Sequence, residues 1–174
     1  MPRAWLLICA LAGAGVAGAE GNYRDAGEFL RDAFSGDPPA PSILWIGADL
    51  RREASAVLDH DPGVLRLRYW ARGERTAWVL EEIGKEKPIT IGVMVAGGRI
   101  DRIEVLVFRE ERGWEIRYPF FTDQFRGAGL TAQHDLDRSI DGITGATLSV
   151  GAMRRVARFA LLLHHYAERK HDGD

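Results

Sequence analysis

The sequence predicts an α+β domain in which an antiparallel sheet built from hairpins packs against helices and is closed by a long C-terminal helix. Three observations support this: helical periodicity at both ends of the chain, period-two runs in its middle, and glycine-containing turns between those runs. The chain has 174 residues, 46% hydrophobic and 28% charged, which suits a folded domain with a sizeable core. Its net charge of −2 does not favour a nucleic-acid partner, which normally binds a basic surface.

The first 19 residues have the pattern of a secretory signal. A positive charge at Arg3 precedes an apolar run over residues 4–16 and the small residues Ala17-Gly18-Ala19. We expect cleavage after Ala19 and export to the periplasm. The alternative is an uncleaved N-terminal anchor, although this run is shorter than the roughly 20 residues that span a bilayer. Cleavage would also remove the single cysteine, so the mature chain could form no thiolate metal site.

Residues 20–87 are predicted to form an N-terminal extension of helices and strands. Apolar residues at near-helical spacing predict two helices, and a short apolar run followed by two alternating runs predicts three strands. The helices are expected over 23–34 and 47–58, and the strands over 42–46, 64–70 and 76–82. This extension is expected to pack with residues 88–174 as one globular unit.

Residues 88–174 begin with the strongest hairpin signal in the chain. Two runs rich in β-branched residues, 89–95 and 99–108, flank a turn with Gly97-Gly98 at its centre. Apolar and charged residues alternate in the second run, as expected for a sheet with one wet face. The aromatic segment 114–125 follows, and Pro119 within it argues against a long central strand.

The longest helix is predicted over residues 149–169. Its apolar positions recur at helical spacing and form one stripe, from which the arginines of the helix are largely excluded. The stripe consists of Met153, Val156, Ala157, Ala160, Leu161 and His164. We therefore expect this face to pack on the sheet.

A Thr-Gly-Ala-Thr sequence stands directly before this helix, at residues 144–147. The first N–H groups of a helix lack partners within it and carry a partial positive charge, so an anion such as phosphate binds there. Gly145 and Ala146 keep bulk away, Thr147 and Ser149 offer hydroxyls, and Arg154 follows within two turns. The alternative is that Thr147 or Ser149 serves only as the N-cap, which is a common use of such residues.

The heptapeptide Asp141-Gly142-Ile143-Thr144-Gly145-Ala146-Thr147 resembles the flavinylation signal of FMN-binding domain proteins. These include the flavin-bearing subunits of sodium-pumping NADH:quinone reductase and of the Rnf complex, and small exported flavoproteins. The family pattern is an aspartate, two variable residues, then Ser/Thr-Gly-Ala-Thr, and this chain has every element. The resemblance also includes the order of hairpin, aromatic segment, motif and helix, over about residues 88–167.

The resemblance implies FMN as cofactor, joined by a phosphoester to Thr147 by a flavin transferase that uses FAD. Residues around the attachment point would bind the cofactor: Asp141, Thr144, Gly145, Ala146, Leu148 and Ser149. It also implies a membrane redox partner and a role as an electron carrier between a membrane donor and an extracytoplasmic acceptor. The oligomeric state is left open.

The aromatic segment is the predicted source of contacts to the flavin ring. Gln124 and Thr122 are candidates to hydrogen-bond the polar edge of the ring. The candidates to cover a ring face are the aromatic residues Trp114, Tyr118, Phe120, Phe121 and Phe125. For each aromatic residue taken singly the alternative is a place in the core, where such residues are common.

Two further functions are compatible with the same residues. The first is a module that binds flavin or another phosphorylated ligand noncovalently and has no redox role. The second is a flavin-dependent reductase with a substrate of its own, although the sequence indicates a carrier more strongly than an enzyme. A metal site is not expected, because the five histidines lack a chelating spacing.

Overall fold

The computed structural model describes residues 21–171, so the predicted signal at residues 1–19 lies outside the described residues. Six strands form one antiparallel sheet, accompanied by helices on both of its faces. The strands are β1 (Gly21–Asn22), β2 (Ser42–Trp45), β3 (Arg66–Arg72), β4 (Arg75–Ile83), β5 (Pro88–Ala96) and β6 (Arg99–Phe108). The α-helices are α1 (Ala26–Ala33), α2 (Ala48–Leu58), α3 (Pro119–Thr122) and α4 (Thr147–His171). The predicted α+β class is confirmed.

The strand order in the sheet is β1-β6-β5-β4-β3-β2. Its centre is the β4–β5 hairpin, which is paired from Arg75↔Ala96 to Ile83↔Pro88. The boundary drawn at residues 87/88 therefore falls in the connection of a continuous hairpin, and the N-terminal extension supplies four of the six strands. Strand β1, which pairs with β6, has only two residues and gives no periodic signal in the sequence.

The sheet has a core on each face. On one face, α2 and α4 cover the larger core. All six residues of the predicted α4 stripe are buried, and all but His164 belong to this core. On the other face, α1 covers a smaller core in which Phe29 lies directly on Gly92. A Cβ at residue 92 would stand 2.9 Å from atoms of the Phe29 ring, so the absence of a side chain lets α1 approach the sheet.

The C-terminal helix runs antiparallel to β4. His164 hydrogen-bonds through Nδ1 to the hydroxyl of Thr76, near the start of β4, at 2.8 Å. Arg155, earlier in α4, donates from Nε to Glu82, near the end of β4, at 2.9 Å. The start of α4 therefore lies at the end of the sheet where β4 ends and β5 begins.

Two parts of the chain differ in detail from the sequence prediction. Helix α4 begins at Thr147, two residues before the predicted start, so the last threonine of the motif is already helical. Residues 114–125 form short helical turns, Trp114–Arg117, α3 and Asp123–Phe125, with no strand among them. None of the helices within residues 21–171 is long and apolar enough to cross a membrane.

Candidate functional site

The Thr-Gly-Ala-Thr sequence forms a tight turn that leads into α4. The N–H of Ala146 donates to the carbonyl of Ile143 at 3.0 Å, which closes a four-residue turn. Gly145 has a φ of 83°, whereas Thr144 is not among the residues with positive φ, and this combination is that of a type II turn. The position requires glycine because of its backbone conformation, since a Cβ there would meet nothing within 4 Å.

Among the described residues, no side chain caps the start of α4. The N–H of Val150 donates to the carbonyl of Ala146 at 2.9 Å, which places Ala146 at the N-cap position. Thr147 and Ser149 lie inside the helix, so neither fills the capping position that the sequence left open to them. Within residues 21–171 no acceptor is hydrogen-bonded to the N–H groups of Thr147, Leu148 and Ser149. Three backbone donors at this end are therefore available to a ligand.

The side chains of this turn point in different directions. Thr147 is exposed, as are Asp141, Thr144 and Gly145 of the motif. Leu148 is 54% exposed, whereas Ala146 and Ser149 are buried. The structure therefore presents the Thr147 hydroxyl to solvent beside open space at Gly145 and directs the Ser149 hydroxyl into the protein.

Gly113, in the loop after β6, forms the wall against which the first turn of α4 packs. A Cβ at residue 113 would lie 2.4 Å from the Ser149 hydroxyl oxygen and 3.5 Å from the Ala146 Cβ. Gly113 also has a φ of 87°, a conformation that favours glycine. The aromatic segment begins at the next residue, so this contact brings that segment against the motif.

Glu110 fixes the same loop to the β4–β5 connection. Its Oε1 accepts hydrogen bonds from the backbone N–H groups of Lys85, Glu86 and Lys87 at 2.5, 2.7 and 2.9 Å. Burial raises the pKa of this carboxyl, and the three hydrogen bonds lower it by more, so the pKa of Glu110 lies below its ordinary value. A buried carboxylate thus anchors the loop that carries Gly113.

Gln124 connects the aromatic segment to the motif. Its Oε1 accepts a hydrogen bond from the backbone N–H of Asp141 at 2.7 Å, and its Nε2 donates to the carbonyl of Phe120 at 3.4 Å. The structure therefore brings together two predicted site residues, Gln124 and Asp141. It also engages both polar atoms of the Gln124 amide within the protein, where the sequence suggested a contact to the flavin ring.

The aromatic residues of the segment range from buried to exposed. Phe121 and Phe125 are fully buried, meet edge to face at 5.5 Å between ring centroids, and belong to the core. Phe121 therefore has no surface to offer a ligand, and the core alternative describes it. Trp114 is half-buried and Tyr118 is exposed, whereas Phe120, at 63% exposed, offers the most surface for a ring contact.

A basic groove of about 420 Å³ runs beside α4 and is lined by Ile140 and by arginines of the helix. Arg154 donates to the carbonyl of Ile140, immediately before the motif. Arg155 and Arg158 are held by carboxylates, Arg155 by Glu82 at 2.9 Å and Arg158 by Asp135 at 3.1 Å. These arginines are therefore fixed cations along the helix.

Comparison with known proteins gives one finding. Residues 84–162 match the model of the FMN-binding domain. These residues belong to the FMN-binding domain family. The match includes β5, β6, the aromatic segment, the motif and most of α4, and it makes FMN the cofactor of this domain. The chain matches no curated protein and no solved structure.

The geometry of the α4 start fits this cofactor. A phosphate is stabilised by free backbone N–H groups and by the positive end of a helix, and both are present beside an exposed hydroxyl. Sequence reasoning found the motif but missed Gly113 and Glu110, which support it from the loop after β6. Gly113 stands before an aromatic run and Glu110 among other charges, so neither had a pattern that could have singled it out.

Proposed function

We propose that this protein is an exported flavoprotein that carries FMN covalently on Thr147 and relays electrons between a membrane donor and an extracytoplasmic acceptor. The observation that carries the proposal is the uncapped start of α4 beside the exposed hydroxyl of Thr147. Thr147 is also the last residue of the motif by which the family resemblance was recognised.

The electrostatics of this helix end suit a phosphate ester. The aligned peptides of α4, which is 25 residues long, place about half a positive charge at its N-terminus. The N–H groups of Thr147, Leu148 and Ser149 would donate to the phosphate oxygens. Gly145 leaves the approach open, because no atom beyond its two chain neighbours lies within 4 Å of where its Cβ would be.

Attachment needs a nucleophile and a leaving group but no redox step. The Thr147 oxygen would attack the phosphorus that bears the riboflavin in FAD. The new bond joins that oxygen to phosphorus, the bond to the bridging oxygen of the pyrophosphate breaks, and AMP leaves. The hydroxyl proton passes to a base of the flavin transferase. The exposure of Thr147 supports this scheme, because a second protein must reach the side chain.

The relay role rests on the chemistry of the bound flavin and on the position of the site. FMN supplies one- and two-electron transfer, and the protein contributes binding, orientation and shielding. Phe120 offers exposed aromatic surface on the segment that Gln124 ties to the motif. Export is supported by the signal pattern of residues 1–19, and a covalent link would retain the cofactor where free FMN is not supplied.

The test of attachment compares two threonine substitutions with and without a co-expressed flavin transferase. Wild type and Thr147→Ser are expected to show flavin fluorescence that remains with the denatured polypeptide on a gel, and intact mass increased by one FMN less water. Thr147→Val keeps the shape of the side chain but lacks the hydroxyl, and it is expected to show neither. Ser149→Ala removes a buried hydroxyl in the same helical turn and serves as the matched control, which should remain labelled.

The noncovalent alternative predicts a different result. Fluorescence would then be lost on denaturation of the wild type, and Thr147→Val would still bind FMN. The redox role is tested separately, by adding membranes and a respiratory donor to the labelled protein. Bleaching of the flavin absorbance is expected for a carrier, whereas an unchanged spectrum with every membrane fraction of the native host would contradict the relay.

A further inference from the structure

We propose that a second cavity, distinct from the Thr147 site, binds a small organic monoanion with a planar apolar body, such as an aromatic carboxylate. The cavity has a volume of about 510 Å³ and lies between the outer part of β6 and the aromatic segment. Its central group is Arg117, in the helical turn Trp114–Arg117.

Arg117 is a cation held by aromatic rings without a carboxylate. Its guanidinium carbon lies 4.3 Å from the ring centroid of Tyr23, 4.8 Å from that of Tyr118 and 5.3 Å from that of Trp114. One terminal nitrogen donates to the Tyr118 hydroxyl at 3.0 Å. Within residues 21–171 no carboxylate lies within 4.0 Å of Arg117. The rings attract the cation but leave its charge uncompensated.

A donor of Arg117 is also left without a partner. The Nε atom is buried and has no hydrogen-bond acceptor among the described residues. Leaving a buried donor of a charged group unsatisfied costs free energy, so an acceptor at the other nitrogens of this guanidinium would be stabilising. Nε itself has less than 1 Å² of accessible surface, so an incoming carboxylate would be held by the terminal N–H groups.

The charge balance of the cavity indicates a single negative charge on the ligand. The charged lining residues are Arg24, Arg102, Arg117 and Arg126 against Asp101, Glu104 and Asp123. Glu104 is engaged by Arg24 and Arg102 at 2.6 and 3.1 Å, and Arg24 is also paired with Asp32, which is not a lining residue. Asp123 lies 4.0 Å from Arg126. Asp101 lies 3.9 Å from Arg75, which is not a lining residue of the cavity. Arg117 therefore remains as the cation without a counterion.

The apolar lining favours an organic anion over a bare inorganic one. Ile103, Val105 and Pro119 line the cavity together with the rings of Tyr23 and Tyr118. An aromatic body can pack against these side chains while its carboxylate meets Arg117. A hydrated phosphate gains nothing from contact with these apolar side chains, and it carries more negative charge than Arg117 alone compensates.

The chosen probe is benzoate, and its binding to the full mature chain is measured by isothermal titration calorimetry. Wild type is expected to bind one benzoate saturably, and benzyl alcohol, which lacks the charge, at least tenfold more weakly. Arg117→Gln should weaken benzoate binding at least tenfold, with Arg117→Lys in between. Arg52→Gln changes an exposed arginine elsewhere and should leave the affinity unchanged.

A measurement on unaltered protein keeps the test decisive if Arg117→Gln does not fold. The Nε–H resonance of Arg117, assigned by its absence in Arg117→Lys, should shift with the same saturation curve as the calorimetry. Absence of saturable binding, an Nε–H resonance unmoved by benzoate, or equal affinity for benzyl alcohol would overturn the proposal. So would unchanged benzoate affinity in a folded Arg117→Gln.

The site must also be independent of the flavin. We expect the same benzoate affinity in flavin-loaded protein, in unloaded protein and in Thr147→Val. Loss of benzoate binding on flavin loading would assign the cavity to the flavin itself and would contradict a separate site. Because Thr147→Val tests flavin attachment and Arg117→Gln tests the cavity, failure of either proposal is visible without the other.

Discussion

The helices α1 and α4 begin in opposite ways. Asp25 caps α1, and its carboxylate accepts hydrogen bonds from the N–H groups of Gly27 and Glu28 at 2.9 and 3.2 Å. Helix α4 begins after Ala146, whose side chain can accept nothing. The helix of 8 residues is therefore capped and the helix of 25 residues is not.

A capped helix start adds to the stability of the helix, whereas an uncapped start leaves backbone N–H donors available to a ligand. Helix α1 is short and amphipathic, so the satisfaction of its first donors matters to whether it forms. Helix α4 buries a continuous apolar stripe along the sheet, and that burial stabilises it without a cap. Its free N–H groups are consequently a place where an external anion can take the role that Asp25 has in α1.

The largest expected effect comes from altering the wall behind the open helix start. Gly113→Ala would place a Cβ 2.4 Å from the Ser149 hydroxyl oxygen in a residue with a φ of 87°. Backbone strain and overpacking together predict a loss of about 2–4 kcal/mol in the free energy of unfolding. Urea unfolding measures it, and the gel assay should show reduced flavin attachment at Thr147.

Gly63→Ala is the matched control for this substitution. Gly63 also has a positive φ, of 67°, but nothing lies within 4 Å of its Cβ position. Its substitution should cost only the backbone strain, about 1 kcal/mol. Equal losses in the two variants would show that the packing of Gly113 on α4 is unimportant.

The next effect concerns Glu110, where a carboxylate receives backbone donors as Asp25 does. Glu110→Gln is expected to lower the free energy of unfolding by about 1–3 kcal/mol at pH 7. The pKa of Glu110 is lower in the folded protein than in the unfolded chain. The stabilisation is therefore present above about pH 4.3 and is lost as the pH falls through the folded value.

Urea unfolding of wild type and Glu110→Gln at pH 7 and at pH 3 tests this. The difference between the two proteins should shrink at the lower pH, because the carboxyl of the unfolded chain is then protonated and the charge-dependent part of the stabilisation decreases. A difference that stays constant with pH would assign the loss to shape rather than charge.

A smaller effect compares the two helix starts directly. Asp25→Ala removes the α1 cap and should cost about 1 kcal/mol. Flavin attachment to Thr147 should stabilise the protein by a similar amount, about 1 kcal/mol, because the phosphate then receives the free donors of α4. Amide exchange at Thr147, Leu148 and Ser149 should slow on attachment, while that at Gly27 and Glu28 stays the same. Unchanged amide exchange at these α4 residues would mean that the phosphate does not bind the N–H groups of the helix start.

The smallest effect is expected at the side chain next to the attachment point. Leu148 is 54% exposed, so Leu148→Ala should change the free energy of unfolding by less than about 0.5 kcal/mol. Val150, two residues on, is buried, and Val150→Ala should cost about 2 kcal/mol. A large loss from Leu148→Ala in thermal unfolding would mean that this surface is covered in solution.

The parts of the fold that were predictable are those whose signal is local. Alternation in β3, β4 and β6, the β-branched run of β5 and the Gly97-Gly98 turn predicted the hairpins, and the apolar stripe predicted α4. Strand β1 and the helical turns of residues 114–125 were not predicted, because two residues carry no period and a proline-containing aromatic run has no regular spacing.

The motif of the candidate site could be predicted from the sequence, but the residues that hold the motif in place could not. The heptapeptide ending at Thr147 could be recognised from seven consecutive residues. The contacts of Gln124 with Asp141 and of Glu110 with Lys85 join positions 17 and 25 residues apart, and no spacing rule links them. The burial of Phe121 beside the exposed Phe120 depends on a short helix whose orientation only the packed structure defines.

The family match begins at residue 84, yet the ladder between β4 and β5 starts at Arg75. Strand β4 also receives the side chains of Arg155 and His164 from α4. The homology boundary is therefore not a folding boundary. A portable version of this domain, cut out for grafting onto another carrier, must keep the chain from Arg75 onwards, because otherwise β5 becomes an open edge available to other chains.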